Sequence, residues 1–115
     1  MPRLTHGDVA VLTVQRWLRD ADPRAVSATA MAAQAGLEER TFLRRFHKAT
    51  GLTPIEYCQH LRISRARDLM ESTTASIDEI AWQAGYDDSG SFRKLFIRIT
   101  GLAPREYRRR FASPP

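Results

Sequence analysis

Arginines recur along this chain where their planar forks of donors could grip phosphate or the edge of guanine. They include Arg40 and Arg44, Arg93 beside Lys94, and the run Arg108, Arg109 and Arg110. Eighteen Lys and Arg stand against 13 Asp and Glu, a net charge of +5, and only Lys48 and Lys94 of the eighteen are lysines. Other reactive residue types are present without the spacing that chemistry needs. His6, His47 and His60 are scattered, with no pair at metal-ligand spacing, and Cys58 stands alone in a stretch of helical pattern. One cysteine excludes an internal disulfide and a cysteine-based zinc site. No nucleophile, base and acid are brought together by sequence, so the expectation is a chain that is not an enzyme, with no cofactor and no metal.

At 115 residues the chain is long enough for one compact domain or two very small ones sharing a helix. No run approaches the roughly 18 apolar residues that span a bilayer. Met1 to His6 lacks the apolar core of a secretory signal. The expected setting is therefore cytoplasmic, with no membrane partner.

The elements that must position the arginines all read as helix. Val11, Leu12, Val14, Trp17 and Leu18 recur at helical spacing from Asp8 until Asp22-Pro23. Ser27 caps a short helix, Ala28 to Ala35, closed by Gly36, and Glu38 or Glu39 opens the next, running to about Thr50. Thr53-Pro54-Ile55-Glu56 is a capping box with proline at the first helical position. It starts a helix of about 18 residues, ~27 Å, from Pro54 to Glu71. Ser76-Ile77-Asp78-Glu79 is a second capping box, opening a short helix that ends at Gly85. A longer helix follows from Asp88 or Ser89 to Ile99, and Pro104 starts a last one through Tyr107. The expected fold is all-α with seven helices.

Part of this pattern occurs twice. Pairing Ser27–Glu39 with Ser76–Asp88, skipping Ser89, and pairing Arg40–Tyr57 with Gly90–Tyr107 gives thirteen identities in 31 positions. The shared residues are scaffold: the turn glycines Gly36 and Gly85, the i,i+4 pairs Phe42/Phe46 and Phe92/Phe96, and Thr-Gly-Leu-x-Pro-x-Glu-Tyr. Short helix, glycine turn and longer helix is the helix-turn-helix layout, whose second helix enters the DNA major groove. A solenoid pair without a DNA role is the alternative. Solenoids need three or more units, and the second helices here carry basic solvent faces: Arg40, Arg44, His47 and Lys48, then Arg93, Lys94 and Arg98.

The sequence resembles the DNA-binding domain of AraC/XylS-type transcriptional regulators over roughly Asp8 to Phe111. The most specific stretches are Ile77-Asp78-Glu79-Ile80-Ala81-Trp82-Gln83-Ala84-Gly85-Tyr86, Ser91 to Phe96, and Thr100 to Arg108. The segment Arg40-Thr41-Phe42-Leu43-Arg44-Arg45-Phe46 is similar to the subgroup with an N-terminal ThiJ/PfpI-like, amidotransferase-like domain. That resemblance implies the C-terminal part of a longer bacterial regulator. It implies a first helix-turn-helix unit at residues 27–52, a linker helix at 54–71, a second unit at 76–102 and a tail at 112–115.

Function then follows as an expectation: sequence-specific binding of a double-stranded operator by two units in successive major grooves, and so transcription regulation. A long joining helix can separate the recognition helices by about one DNA turn, ~34 Å. Arg40, Leu43, Arg44, Ser89, Gly90, Arg93 and Lys94 are the expected base contacts, and Lys48, Arg98, Arg108, Arg109 and Arg110 the expected phosphate contacts. Glu38 stands where a serine or threonine cap is usual, which suits the helix dipole but sits unfavourably near phosphate. Gly90 removes a side chain from the second recognition helix, so unit two is expected to contribute mainly backbone binding and unit one the specificity. Asp78, Glu79, Trp82 and Asp87 could form an acidic, aromatic surface suited to RNA polymerase. The alternative, which the burial habits of tryptophan favour, is that Trp82 packs against a neighbouring helix. The isolated domain is expected to be monomeric and the full-length protein capable of oligomerising.

Overall fold

The computed structural model describes residues 7–112, so the expectations for His6 and for Ser113 to Pro115 lie outside the described residues. Every regular element among the described residues is helical. The α-helices are α1 (Val9–Asp20), α2 (Ala28–Ala35), α3 (Glu39–Thr50), α4 (Pro54–Ser72), α5 (Ile77–Gln83), α6 (Ser89–Thr100) and α7 (Pro104–Phe111). A short 3-10 turn at Pro23–Ala25, not expected from the sequence, follows α1 and is capped by Asp22, whose side chain accepts from the Arg24 amide at 3.0 Å. The last helix runs four residues beyond Tyr107, because nothing in Arg108 to Phe111 breaks it.

The chain divides into two compact units, residues 1–60 and 61–115, with the division inside α4. In the first unit α1 packs on α2 and α3. Val11, Val14, Leu18, Met31, Ala32, Phe42, Phe46, Tyr57 and Cys58 are buried there. In the second unit Ile63, Ala66, Met70, Ile80, Ala81, Ala84, Phe92, Leu95, Phe96 and Tyr107 form one cluster. Burying side chains of this size gives roughly 1.5–3 kcal/mol each, which is how units of about 60 residues remain folded.

Capping sets the helix ends. Ser27 Oγ accepts from the Ala30 amide at 3.0 Å, and Ser76 Oγ from the Glu79 amide at 3.1 Å. At Thr53 the capping box is reciprocal: the Thr53 amide donates to Glu56 Oε1 at 3.0 Å, and the Glu56 amide to Thr53 Oγ1 at 3.1 Å. These bonds hold the Glu56 carboxyl below its ordinary pKa, the Thr53 backbone amide first. The tight turns are alike. Gly36 (φ +68°) and Gly85 (φ +100°) adopt left-handed conformations, while the Leu37 amide reaches Ala32 O at 3.1 Å and the Tyr86 amide reaches Ala81 O at 3.0 Å. Such 6→1 bonds satisfy carbonyls that a helix end leaves without partners.

The duplication is wider than its sequence identities. Val11, Val14 and Leu18 of α1 are buried in unit one as Ile63, Ala66 and Met70 of α4 are in unit two, in the same order and spacing. Within that frame Gln15 hydrogen-bonds Tyr57, and Arg67 Nε donates to Tyr107 Oη at 3.0 Å. Each unit is thus a supporting helix, a short helix, a longer helix and a closing helix. The second half of α4 supports unit two, and its first half closes unit one as α7 closes unit two.

Candidate nucleic-acid interface

The second helix of each helix-turn-helix is α3 or α6, and the same three contacts fix each one. Phe42 and Phe46 lie 5.5 Å apart, with Tyr57 edge-on to Phe46 at 5.3 Å; Phe92 and Phe96 lie 5.7 Å apart, with Tyr107 edge-on to Phe96 at 5.4 Å. The phenylalanines are fully buried, so the opposite face of each helix must turn outward. Each helix ends in the same threonine clasp. Thr50 Oγ1 donates toward Phe46 O and Leu52 O and accepts from the Leu52 amide, with bonds of 2.9–3.1 Å; Thr100 does the same with Phe96 O, Leu102 O and the Leu102 amide at 2.8–3.1 Å.

On α3 the outward residues are Arg40, Leu43, Arg44, His47 and Lys48, and Leu43 is 38% exposed despite being apolar. On α6 they are Gly90, Ser91, Arg93, Lys94, Ile97 and Arg98, while Ser89 is half-buried. The expected base-contacting residues therefore share one face within each unit. Ile97, 46% exposed, lies on that face and was not anticipated. Its signal in the sequence is its alignment with the exposed His47.

Equal helix lengths correct the register of the repeat. Glu38 precedes α3 as Asp88 precedes α6, so Glu39 aligns with Ser89, and the additional residue of unit two is Asp87 in the turn. The two helix starts differ chemically. Asp88 accepts from the Gly90 amide and from Ser91 Oγ, both at 2.9 Å, and these bonds, the Gly90 amide first, hold its carboxyl below the ordinary pKa. Glu38 makes no side-chain capping bond. Glu39 instead accepts from Thr29 Oγ1 of α2 at 3.2 Å, tying the two helices of unit one together.

The structure gives the surroundings of Arg108, Arg109, Arg110 and Trp82. Arg108 was expected on a phosphate, yet its guanidinium donates to Met70 O at 3.4 Å, to Ala75 O and to Thr73 O at 3.1 Å. Met70 lies in the last turn of α4 and Thr73 and Ala75 in the segment that leads to α5, and a half-buried arginine on α7 satisfies these carbonyls. Arg109 and Arg110 both pair with Glu106, the latter at 3.3 Å, but stay largely exposed. Trp82 is 58% exposed rather than buried, because the turn of α5 that it occupies presents Ile80 and Ala81 to the core instead. Asp78, Glu79 and Asp87 are exposed on the same segment.

Among the described residues no group of three or more metal-ligating side chains converges, and no helix is long and apolar enough to cross a membrane. An open cavity of about 600 Å³ in unit one is lined by Gly7, Asp8, Val9, Arg45, Lys48 and Ala49.

Two tandem units of this kind define a double helix-turn-helix protein. The family described as "Helix-turn-helix domain" matches residues 31–110, and the chain belongs to it, in its AraC-type branch. It is 36% identical over 108 residues to the HTH-type transcriptional activator RhaS of Salmonella paratyphi B, covering 94% of this chain and 39% of that protein. The chain thus spans about two-fifths of the curated relatives it matches. Among solved structures, the DNA-binding domain of AdpA, crystallised with a target DNA, superposes with a TM-score of 0.82 at 29% identity, covering 89% of this chain and 92% of that one. An AraC-type regulator from Chromobacterium violaceum gives a TM-score of 0.85 at 25% identity, covering 92% and 95%.

Proposed function

We propose that this chain binds duplex DNA sequence-specifically and thereby regulates transcription, its two units reading successive major grooves. The observation that carries the reading is the pairing, in both units, of a buried phenylalanine face with an exposed face of arginine and lysine on the second helix of the motif. Arg40, Leu43 and Arg44 read bases in unit one; Arg93 and Lys94, with Ser89 and Gly90 at the helix start, do so in unit two. A guanidinium can engage guanine through two hydrogen bonds, and Leu43 can contact a thymine methyl. Lys48 and Arg98 hold phosphate, which fixes register without reading sequence. Arg109 and Arg110 reach phosphate by exchanging Glu106 for it, whereas Arg108 stays on its carbonyls.

The whole regulator is read as cytoplasmic and larger than this domain. The likeness of residues 40–46 to one subgroup supports an N-terminal ThiJ/PfpI-like domain as the sensing part. The exposed Trp82 with Asp78, Glu79 and Asp87 supports a contact with RNA polymerase. The domain alone is monomeric, and oligomerisation belongs to the full-length protein. Selection from a random duplex library tests the main reading: it should return a site with two preferred segments, bound with a steep salt dependence. Recovery of unselected sequence, or binding indifferent to salt, would overturn it.

A further inference from the structure

Arg93 does not extend alone from α6. Its Nη2 lies 3.5 Å from Asp78 Oδ1 in the first turn of α5, with Arg93 51% and Asp78 74% exposed. We propose that Asp78 is a positioning residue for Arg93, holding its guanidinium toward base edges and away from phosphate; the inference rests on the DNA-binding reading above.

An arginine at the edge of a groove can bind a phosphate or reach a base, and phosphate is available at every sequence. The first helix of a helix-turn-helix crosses the DNA backbone. A carboxylate there occupies the guanidinium on the backbone side and repels the phosphate that would take its place. Exposed ion pairs are weak, which suits a contact that must yield when a better acceptor, a guanine edge, arrives.

The two units differ at both members of this pair. Counting from the caps Ser27 and Ser76, Thr29 occupies in unit one the position of Asp78; counting from Phe42 and Phe92, Leu43 occupies that of Arg93. Thr29 turns its hydroxyl to Glu39 instead, at 3.2 Å. The carboxylate is present in the unit whose facing position is arginine and absent where that position is uncharged. One turn before Arg93, Gly90 offers no side chain, so discrimination by unit two depends on the direction in which Arg93 points.

The test measures binding of the 115-residue chain to its selected duplex, to that duplex with single base-pair changes in the second segment, and to random duplex, across a salt series. Asp78→Ala should bind random duplex severalfold more tightly. The slope of log affinity against log salt should steepen by about 0.9, the signature of one added phosphate contact. Preference at one base pair should fall by a similar factor. Asp78→Asn, which keeps the size of the side chain, should show the same direction. In an Arg93→Ala background the Asp78 change should leave base-pair preference unaltered. Unchanged discrimination in both Asp78 variants, or an effect on base-pair preference that persists without Arg93, would overturn the inference while leaving DNA binding intact. A parent that binds no duplex would overturn both.

Discussion

Arg45 clasps Asp8 across 37 positions of sequence, Nε donating to Oδ2 at 3.0 Å and Nη2 to Oδ1 at 2.8 Å. The same Oδ1 accepts from the Val11 amide at 3.2 Å, so one carboxylate both starts α1 and fastens it to α3. The Arg45 hydrogen bond is the main reason the Asp8 carboxyl sits below its ordinary pKa, outweighing partial desolvation. A depressed folded-state pKa means that the stabilisation is full above the unfolded carboxylate value of about 3.9 and is lost as pH falls through the folded one. Asp8→Asn retains a capping oxygen but not the charge. It should cost about 1 kcal/mol at neutral pH, discounted for the partial exposure of Arg45. Urea midpoints of parent and variant should separate at pH 7 and converge in strong acid; a gap that persisted there would assign the effect to packing.

Thr53→Ala should destabilise the chain by about 1 kcal/mol, because it removes one side of a reciprocal capping box. Thermal unfolding followed by circular dichroism reads this directly. Ser27→Ala should cost a similar amount, and a combined loss equal to the sum would show that the two caps act independently.

Arg108→Ala separates a structural arginine from a DNA-binding one. Loss of hydrogen bonds to three carbonyls should lower stability by about 1–3 kcal/mol. The salt slope of DNA binding should stay that of the parent. A slope reduced by about one, with unchanged melting, would return Arg108 to the phosphate contacts.

Arg44→Ala and Lys48→Ala lie one turn apart on α3 and should fail differently. The first should relax preference at particular base pairs by about 1–3 kcal/mol. The second should weaken selected and random duplex alike and reduce the salt slope by about 0.9. Competition binding distinguishes them, and equal behaviour of both variants on both DNAs would contradict the docking of α3 in a groove.

Much of this fold is written in local chemistry that a sequence displays. Ser27, Thr53, Pro104 and the turn glycines mark helix ends because the atoms that cap or turn a helix lie within a few residues of it. The exposed faces of α3 and α6 follow equally from the phenylalanine spacing. What escaped has a different physical origin. The match of α1 to the second half of α4 rests on exchanges such as Val14 for Ala66 and Gln15 for Arg67, which keep a role while changing the residue. Arg108 looks like any surface arginine until the carbonyls of residues 70, 73 and 75 come within reach. Trp82 was expected inside because large aromatic rings usually are, yet the register of a seven-residue helix gave the core to Ile80 and Ala81. The misplaced gap in the repeat has the same kind of cause, since Asp87 and Ser89 can be told apart only once Asp88 is seen to cap α6.

α4 has a consequence for anyone who would take the chain apart. A recombinant half containing either unit cannot be cut at a loop, since the seam at residues 60 and 61 falls in mid-helix. Truncation at Ser72 leaves unit one trailing an apolar stripe made for its neighbour, and starting at Ser76 strips unit two of Ile63, Ala66 and Met70. Chimaeras that exchange recognition units between regulators should therefore be joined inside this helix, in register, with each parent keeping its own half.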